Sequence, residues 1–121
     1  MMQASELSVL VIDDERFNRF ILKGLLMQLG IQSCDEAGNE QEATHCLANK
    51  HYDLVLSDTM NEEKYPMGPN AIRKAKSNGQ NPVVVGLSLG RTEQLWSGLA
   101  DYFLNYDTPL KKVLREKFYI Q

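Results

Sequence analysis

Three aspartates carry the chemistry this chain could perform. Asp13 and Asp14 follow the apolar run from Leu7 to Ile12 in LSVLVIDDE, Asp58 closes the run Leu54-Val55-Leu56-Ser57 in HYDLVLSDTM, and Ser88 closes PVVVGLS. Short apolar runs bounded by polar residues read as strands buried on both faces, as in a parallel sheet. In open α/β sheets, ligands sit beyond the carboxyl ends of the strands. If the first and third strands are parallel neighbours, Asp13, Asp14 and Asp58 meet at one edge of the sheet. A like-charge pair at roughly 4 Å costs up to about 4 kcal/mol at an effective dielectric of about 20. Either a proton is shared within such a trio or a hard cation is bound. Carboxylates together with a phosphate form the oxygen-only set that Mg2+ prefers. A carboxylate beside that cation can also attack phosphorus and become an acyl phosphate.

The elements that must position these groups follow from periodicity. Strands are expected over Leu7–Ile12, Ile31–Ala37, Tyr52–Asp58, Pro82–Ser88 and Asp101–Leu104. Phe17, Phe20, Ile21, Leu25 and Leu29 recur at helical spacing, so Glu15 to Leu29 reads as a helix ended by Gly30. A second helix, with Asn39 as its cap, runs to about Asn49 and turns Ala43, Cys46 and Leu47 inward. Pro69 suits the first turn of a third, with Ala71, Ile72 and Ala75 inward and Asn78-Gly79 as its stop. Arg91 to Leu99 is expected to form a short helix containing Trp96. Thr108-Pro109 is a helix start, followed by Leu110, Val113, Leu114 and Phe118 on the core face. TMNEEKYPMGP has two prolines and no period and reads as a loop; residues 1–6 read as a frayed leader. Strands alternating with helices imply right-handed crossovers and a parallel sheet. Five such units predict a flavodoxin-like doubly wound α/β fold of order 2-1-3-4-5, which makes the first and third strands neighbours.

Composition narrows the function classes. With 121 residues a single domain, 1–121, is expected. A net charge of -3 gives no basic footprint for direct nucleic-acid binding. No run approaches the ~20 apolar residues of a membrane span, and no basic leader precedes an apolar one. A cytoplasmic protein, monomeric or weakly dimeric, is the default. Cys34 and Cys46 lack metal-ligand spacing and are expected to be reduced core or half-buried thiols; His45 and His51 are expected at the surface.

Taken together, these segments resemble the receiver domain of two-component response regulators over nearly the whole chain. LSVLVIDDERFNR is similar to the family's first strand with its acid pair and following Asn18-Arg19. YDLVLSD is similar to the third strand with its phosphoacceptor, VVVGLS to the fourth strand with its Ser/Thr, and AGNEQEA to the start of the second helix. The resemblance implies that Asp58 accepts a phosphoryl group from phosphohistidine. It implies that Asp13, Asp14, Asp58 and the backbone carbonyl of Met60 hold Mg2+, and that Ser88 contacts the phosphoryl group. A histidine kinase or histidine phosphotransfer protein is the implied donor, with an output partner unspecified and either a stand-alone receiver or part of a hybrid kinase as the context. Self-phosphorylation and self-dephosphorylation are the only catalysis implied, and Tyr102 is the switch candidate.

Three departures from the family pattern bear on function. The lysine expected after the fifth strand is missing: in DYFLNYDTPL its position falls on Asn105, Tyr106 or Thr108, depending on the register counted. Loss of that cation removes one clamp on phosphoryl charge. The segment from Ser88 to Gly98 is short, so the fourth helix is expected to be clipped or irregular, which bears on the family's usual output face. The loop after Asp58 lacks the family's Met-Pro turn and brings Asn61, Glu62, Glu63 and Lys64 near the pocket. A pseudo-receiver that binds partners without phosphorylation is the alternative function. A phosphohydrolase with an aspartyl nucleophile is disfavoured because its DxD pattern is replaced by Asp13-Asp14-Glu15. For the acid pair, simple capping of the first helix is the alternative role.

Overall fold

The alternation read from the sequence closes into one parallel sheet in a computed structural model, which describes residues 3–88, 92–105 and 110–118. Its elements are β1 (Ser8–Ile12), α1 (Arg16–Gln28), β2 (Ser33–Ala37), α2 (Glu40–Asn49), β3 (Leu54–Asp58), α3 (Met67–Ser77), β4 (Val83–Ser88), β5 (Tyr102–Asn105) and α4 (Leu110–Phe118), with a 3-10 turn at Glu93–Trp96. The strand order is β2-β1-β3-β4-β5. All four pairings are parallel, as the doubly wound flavodoxin-like fold requires.

Successive side chains of a strand point to opposite faces, so the central strands feed two cores. Val9, Val11, Leu54, Leu56, Val85 and Leu87 face a cluster with Leu22 and Leu26 of α1 and Leu110 and Leu114 of α4. Leu10, Ile12, Val55 and Val84 face the other, with Leu47 of α2, Ala71 and Ile72 of α3, and Trp96. Each Leu, Ile or Val so buried contributes about 1.5–3 kcal/mol relative to exposure. Ile12 pairs with Ser57 and Asp58 with Leu87. The chain therefore leaves β1 and β3 at one level of the sheet, one residue before Asp13 and at Asp58 itself.

Several expectations are corrected. The helical spacing that marks α1 does not say which residues meet the sheet: Phe17, Phe20 and Ile21 are 70%, 71% and 52% exposed. Leu29 of the same row is buried and Leu25 packs against the core, joined there by Leu22 and Leu26. Residues 4–6 form a 3-10 turn closed by a reciprocal Gln3–Glu6 capping box, with Ala4 buried, rather than a frayed leader. The helix expected over Arg91–Leu99 reduces to the turn Glu93–Trp96, because Thr92 offers no side-chain cap and Gly98 takes φ +74°. Cys34 and Cys46 are half-buried free thiols, as expected, with Cys46 packed against the core. Strand β2 starts at Ser33 rather than Ile31. Arg91, Thr108-Pro109 and the side chain of Phe118 lie outside the described residues.

Candidate functional site

Asp13 leaves β1 with its backbone N–H still bonded to Ala37 of β2 (3.1 Å). Its side chain is fully buried, and its Oδ1 accepts the Glu15 N–H at 2.9 Å. That bond turns the chain from β1 into α1. Glu15 is the N-cap residue of α1 and makes no side-chain cap bond. Arg19, one turn into α1, donates from Nη1 to the Asp13 carbonyl at 2.6 Å and from Nε to Glu36 at 3.1 Å. A guanidinium is thus fixed beside the acid corner. Asp14 is half-buried, and its Oδ2 accepts the Glu62 N–H at 3.1 Å. Asp58 ends β3, and its Oδ1 accepts the N–H of Thr59 at 2.9 Å.

Carboxylate oxygens of Asp13, Asp14 and Asp58 all lie within 4.8 Å of one another, so the predicted trio is brought together. The donors are hard oxygens converging from a buried and two half-buried carboxylates. That set fits Mg2+ and offers nothing to metals that prefer thiolate or imidazole. Met60, half-buried, is the second residue past Asp58 on the same loop. Ser88 is buried at the end of β4 and pairs in register with Asn105 at the end of β5. Of the positions weighed for the missing lysine, Asn105 therefore sits beside Ser88, while Tyr106 and Thr108 lie outside the described residues. Tyr102 pairs with Val85, three rungs back from that edge, and is half-buried against the core.

The loop from Thr59 to Pro66 is organised by Asn61, whose side chain accepts the N–H groups of Glu63 and Tyr65, both at 3.0 Å. Lys64 takes φ 62° within it, an uncommon conformation for a residue with a side chain. Tyr65 donates to Glu40 of α2 at 2.9 Å, which Lys74 of α3 also meets at 3.3 Å. These contacts tie the loop to α2, and the Glu62 N–H ties it to Asp14.

Sequence reasoning missed the groups beneath Asp58. Thr59, 1% exposed, donates from its hydroxyl to the Leu87 carbonyl at 2.9 Å and receives the indole N–H of Trp96 at 2.8 Å. Trp96 lies against Gly86, where an added Cβ would sit 2.6 Å from the indole nitrogen. Gly68 allows α3 to press on the Asp58 carbonyl and the Ser57 hydroxyl, which an added Cβ would strike. A glycine inside the β-run VVVGLS was the available signal, since such residues mark close approach.

A sheet of this order with an acid trio at its central carboxyl edge matches one family. The model for the response regulator receiver domain covers residues 9–101, and the chain belongs to that family, whose setting is two-component signalling. It is 29% identical over 121 residues to the transcriptional regulatory protein ResD of Bacillus subtilis, covering 97% of this chain and 49% of that protein. The chain thus spans about half the length of that relative. Among solved structures, TrrA of Thermotoga maritima in complex with Mg2+ and BeF superposes at TM-score 0.77 with 22% identity, covering 100% of both chains. The receiver domain of sensor histidine kinase PA1611 from Pseudomonas aeruginosa, with a magnesium ion in its active-site cleft, superposes at 0.77 with 17% identity, covering 91% of this chain and 95% of that one. These two likenesses establish the fold.

Proposed function

We propose that Asp58 is the phosphoacceptor of this receiver domain and that its phosphorylation is the signalling event. One observation carries the reading: three carboxylates from two adjacent strand ends converge within 4.8 Å, in the fold whose family takes phosphoryl groups there. A carboxylate oxygen of Asp58 attacks the phosphorus of a phosphohistidine, the P–N bond breaks, the imidazole leaves, and an acyl phosphate remains on Asp58. Asp13, Asp14, Asp58 and the Met60 carbonyl would hold Mg2+, which when bound offsets charge on the phosphoryl oxygens. Ser88 donates its hydroxyl to the phosphoryl group. Asn105, offering an amide where a cation is expected, answers that charge weakly, so conformational coupling is small.

The donor is a histidine kinase or a histidine phosphotransfer protein. Phe17, Phe20 and Ile21 are exposed on the first turns of α1, the helix that begins at the pocket; this row is the face on which the phosphohistidine partner packs. A cytoplasmic location belongs to the same reading. Among the described residues no helix is long and apolar enough to cross a membrane. A binding module independent of phosphorylation is disfavoured by the intact trio.

Intact-mass spectrometry after incubation with phosphoramidate and Mg2+ tests this. One base-labile phosphoryl group is expected on the native chain and none on Asp58→Asn. Uptake by Asp58→Asn at the native rate would refute the assignment.

A further inference from the structure

We propose that Trp96 is a positioning residue for phosphoryl transfer, acting through Thr59; this rests on Asp58 being the phosphoacceptor. An indole nitrogen can only donate, and a threonine hydroxyl has one proton. The bond from Trp96 therefore fixes the Thr59 proton on the Leu87 carbonyl, giving a directed chain from Trp96 to Thr59 to Leu87. All three residues are almost fully buried, at 2%, 1% and 1% exposure.

The chain's ends explain its role. Thr59 stands between Asp58 and Met60, and Leu87 directly precedes Ser88. The last ladder pair of β3 and β4 is Asp58 with Leu87. The Thr59 hydroxyl fastens the two strands one residue beyond it, where the phosphoacceptor, the Met60 carbonyl and Ser88 must keep their spacing. The ring of Trp96 is seated on both sides of this fastening. It lies against Gly86 of β4, two residues before Ser88, and its Cη2 lies 3.2 Å from where a Cβ on Gly68 would stand, beside the Asp58 carbonyl. An apolar side chain could fill the same slot without needing a partner in a dry interior. What the indole adds is the polar bond, and that bond ends at the reacting strand.

Initial rates of phosphorylation by phosphoramidate with Mg2+, read by intact mass, test the proposal alongside thermal unfolding. Thr59→Val removes the hydroxyl at nearly constant shape, and Trp96→Phe keeps a ring without the N–H. Each is expected to slow phosphorylation by about tenfold, as small misplacements of reacting groups do. Thr59→Ser, which restores the hydroxyl, is expected near the native rate. The double variant is expected to be no slower than the slower single one, because the two side chains act in series. Native rates in Thr59→Val and Trp96→Phe would overturn the proposal and leave Trp96 as core filler; so would a Thr59→Ser protein as slow as Thr59→Val. If Trp96→Phe does not fold, the Val and Ser variants of Thr59 decide the matter alone. A native chain that takes up no phosphoryl group would instead refute the phosphoacceptor reading, and this proposal with it.

Discussion

Asp14 separates two physical accounts of the acid corner. Its Oδ2 accepts the Glu62 N–H, a bond the carbonyl oxygen of asparagine can keep, so Asp14→Asn changes charge more than contacts. In EDTA the trio repels itself and the variant is expected to be more stable by about 1 kcal/mol after solvent screening. In millimolar Mg2+ the native chain is expected to gain stability by mass action, and the variant to gain less. Melting curves under both conditions measure this, and a native melting temperature indifferent to Mg2+ together with no gain from Asp14→Asn would remove the metal site. At the far end of the sheet, the Tyr52 hydroxyl donates to Asp35 at 2.6 Å and Lys50 meets it at 3.0 Å. These two partners, Tyr52 first, hold the Asp35 carboxyl below its ordinary range. A lowered folded value means the stabilisation is fully present above the unfolded value of about 3.9 and fades as pH falls through the folded one. Tyr52→Phe is therefore expected to melt lower than the native chain at neutral pH, with the gap narrowing towards pH 3. That Asp13, Asp14 and Asp58 converge, and that Ser88 stands at the end of β4, was legible in the sequence because these residues lie at the ends of apolar runs. The Thr59–Trp96 bond was not, because it joins residues 37 apart through a slot that only the packed molecule creates.

Among the elements, α1 shows where pattern reading stops. Its period identified a helix but not its inner face: Leu22 and Leu26 are buried, while Phe17 and Phe20 face outward. Replacing Phe17 and Phe20 by serine is accordingly expected to change stability by only about 0.5 kcal/mol each, as at other exposed positions. The same double variant is expected to accept phosphoryl groups from phosphoramidate normally and from a phosphohistidine protein slowly. Equal loss with both donors would place these rings in the pocket rather than on a docking face. In the β4–β5 connection the shortness of Ser88 to Gly98 was visible, while the short helix expected over Arg91–Leu99 is, among the described residues, a single 3-10 turn. That four-residue turn, which drives Trp96 inward, depends on Gly86 and Gly68 leaving room. Strand β2 was placed two residues early because Ile31 is apolar, but Ile31 packs beneath α1 in the core and the ladder with β1 begins at Ser33.

For the molecule as a whole, the strand order was legible because alternating strands and helices with right-handed crossovers leave few ways to wind a parallel sheet. That winding has a consequence in time. Val9 meets Leu54, and Leu10 meets Val55, so the central pair of strands joins only after the intervening chain has closed a long loop, an entropic cost that must be met before the contacts reward it. The apolar ladder can meet that cost; the carboxylates at its end cannot, since bringing Asp13 towards Asp58 opposes closure. The trio should therefore assemble after the rate-limiting barrier, on the native side of it. In stopped-flow experiments, millimolar Mg2+ is expected to leave the refolding rate unchanged and to slow unfolding, the behaviour of an interaction absent from the transition state. Faster refolding in Mg2+ would instead place the acid corner inside the folding nucleus.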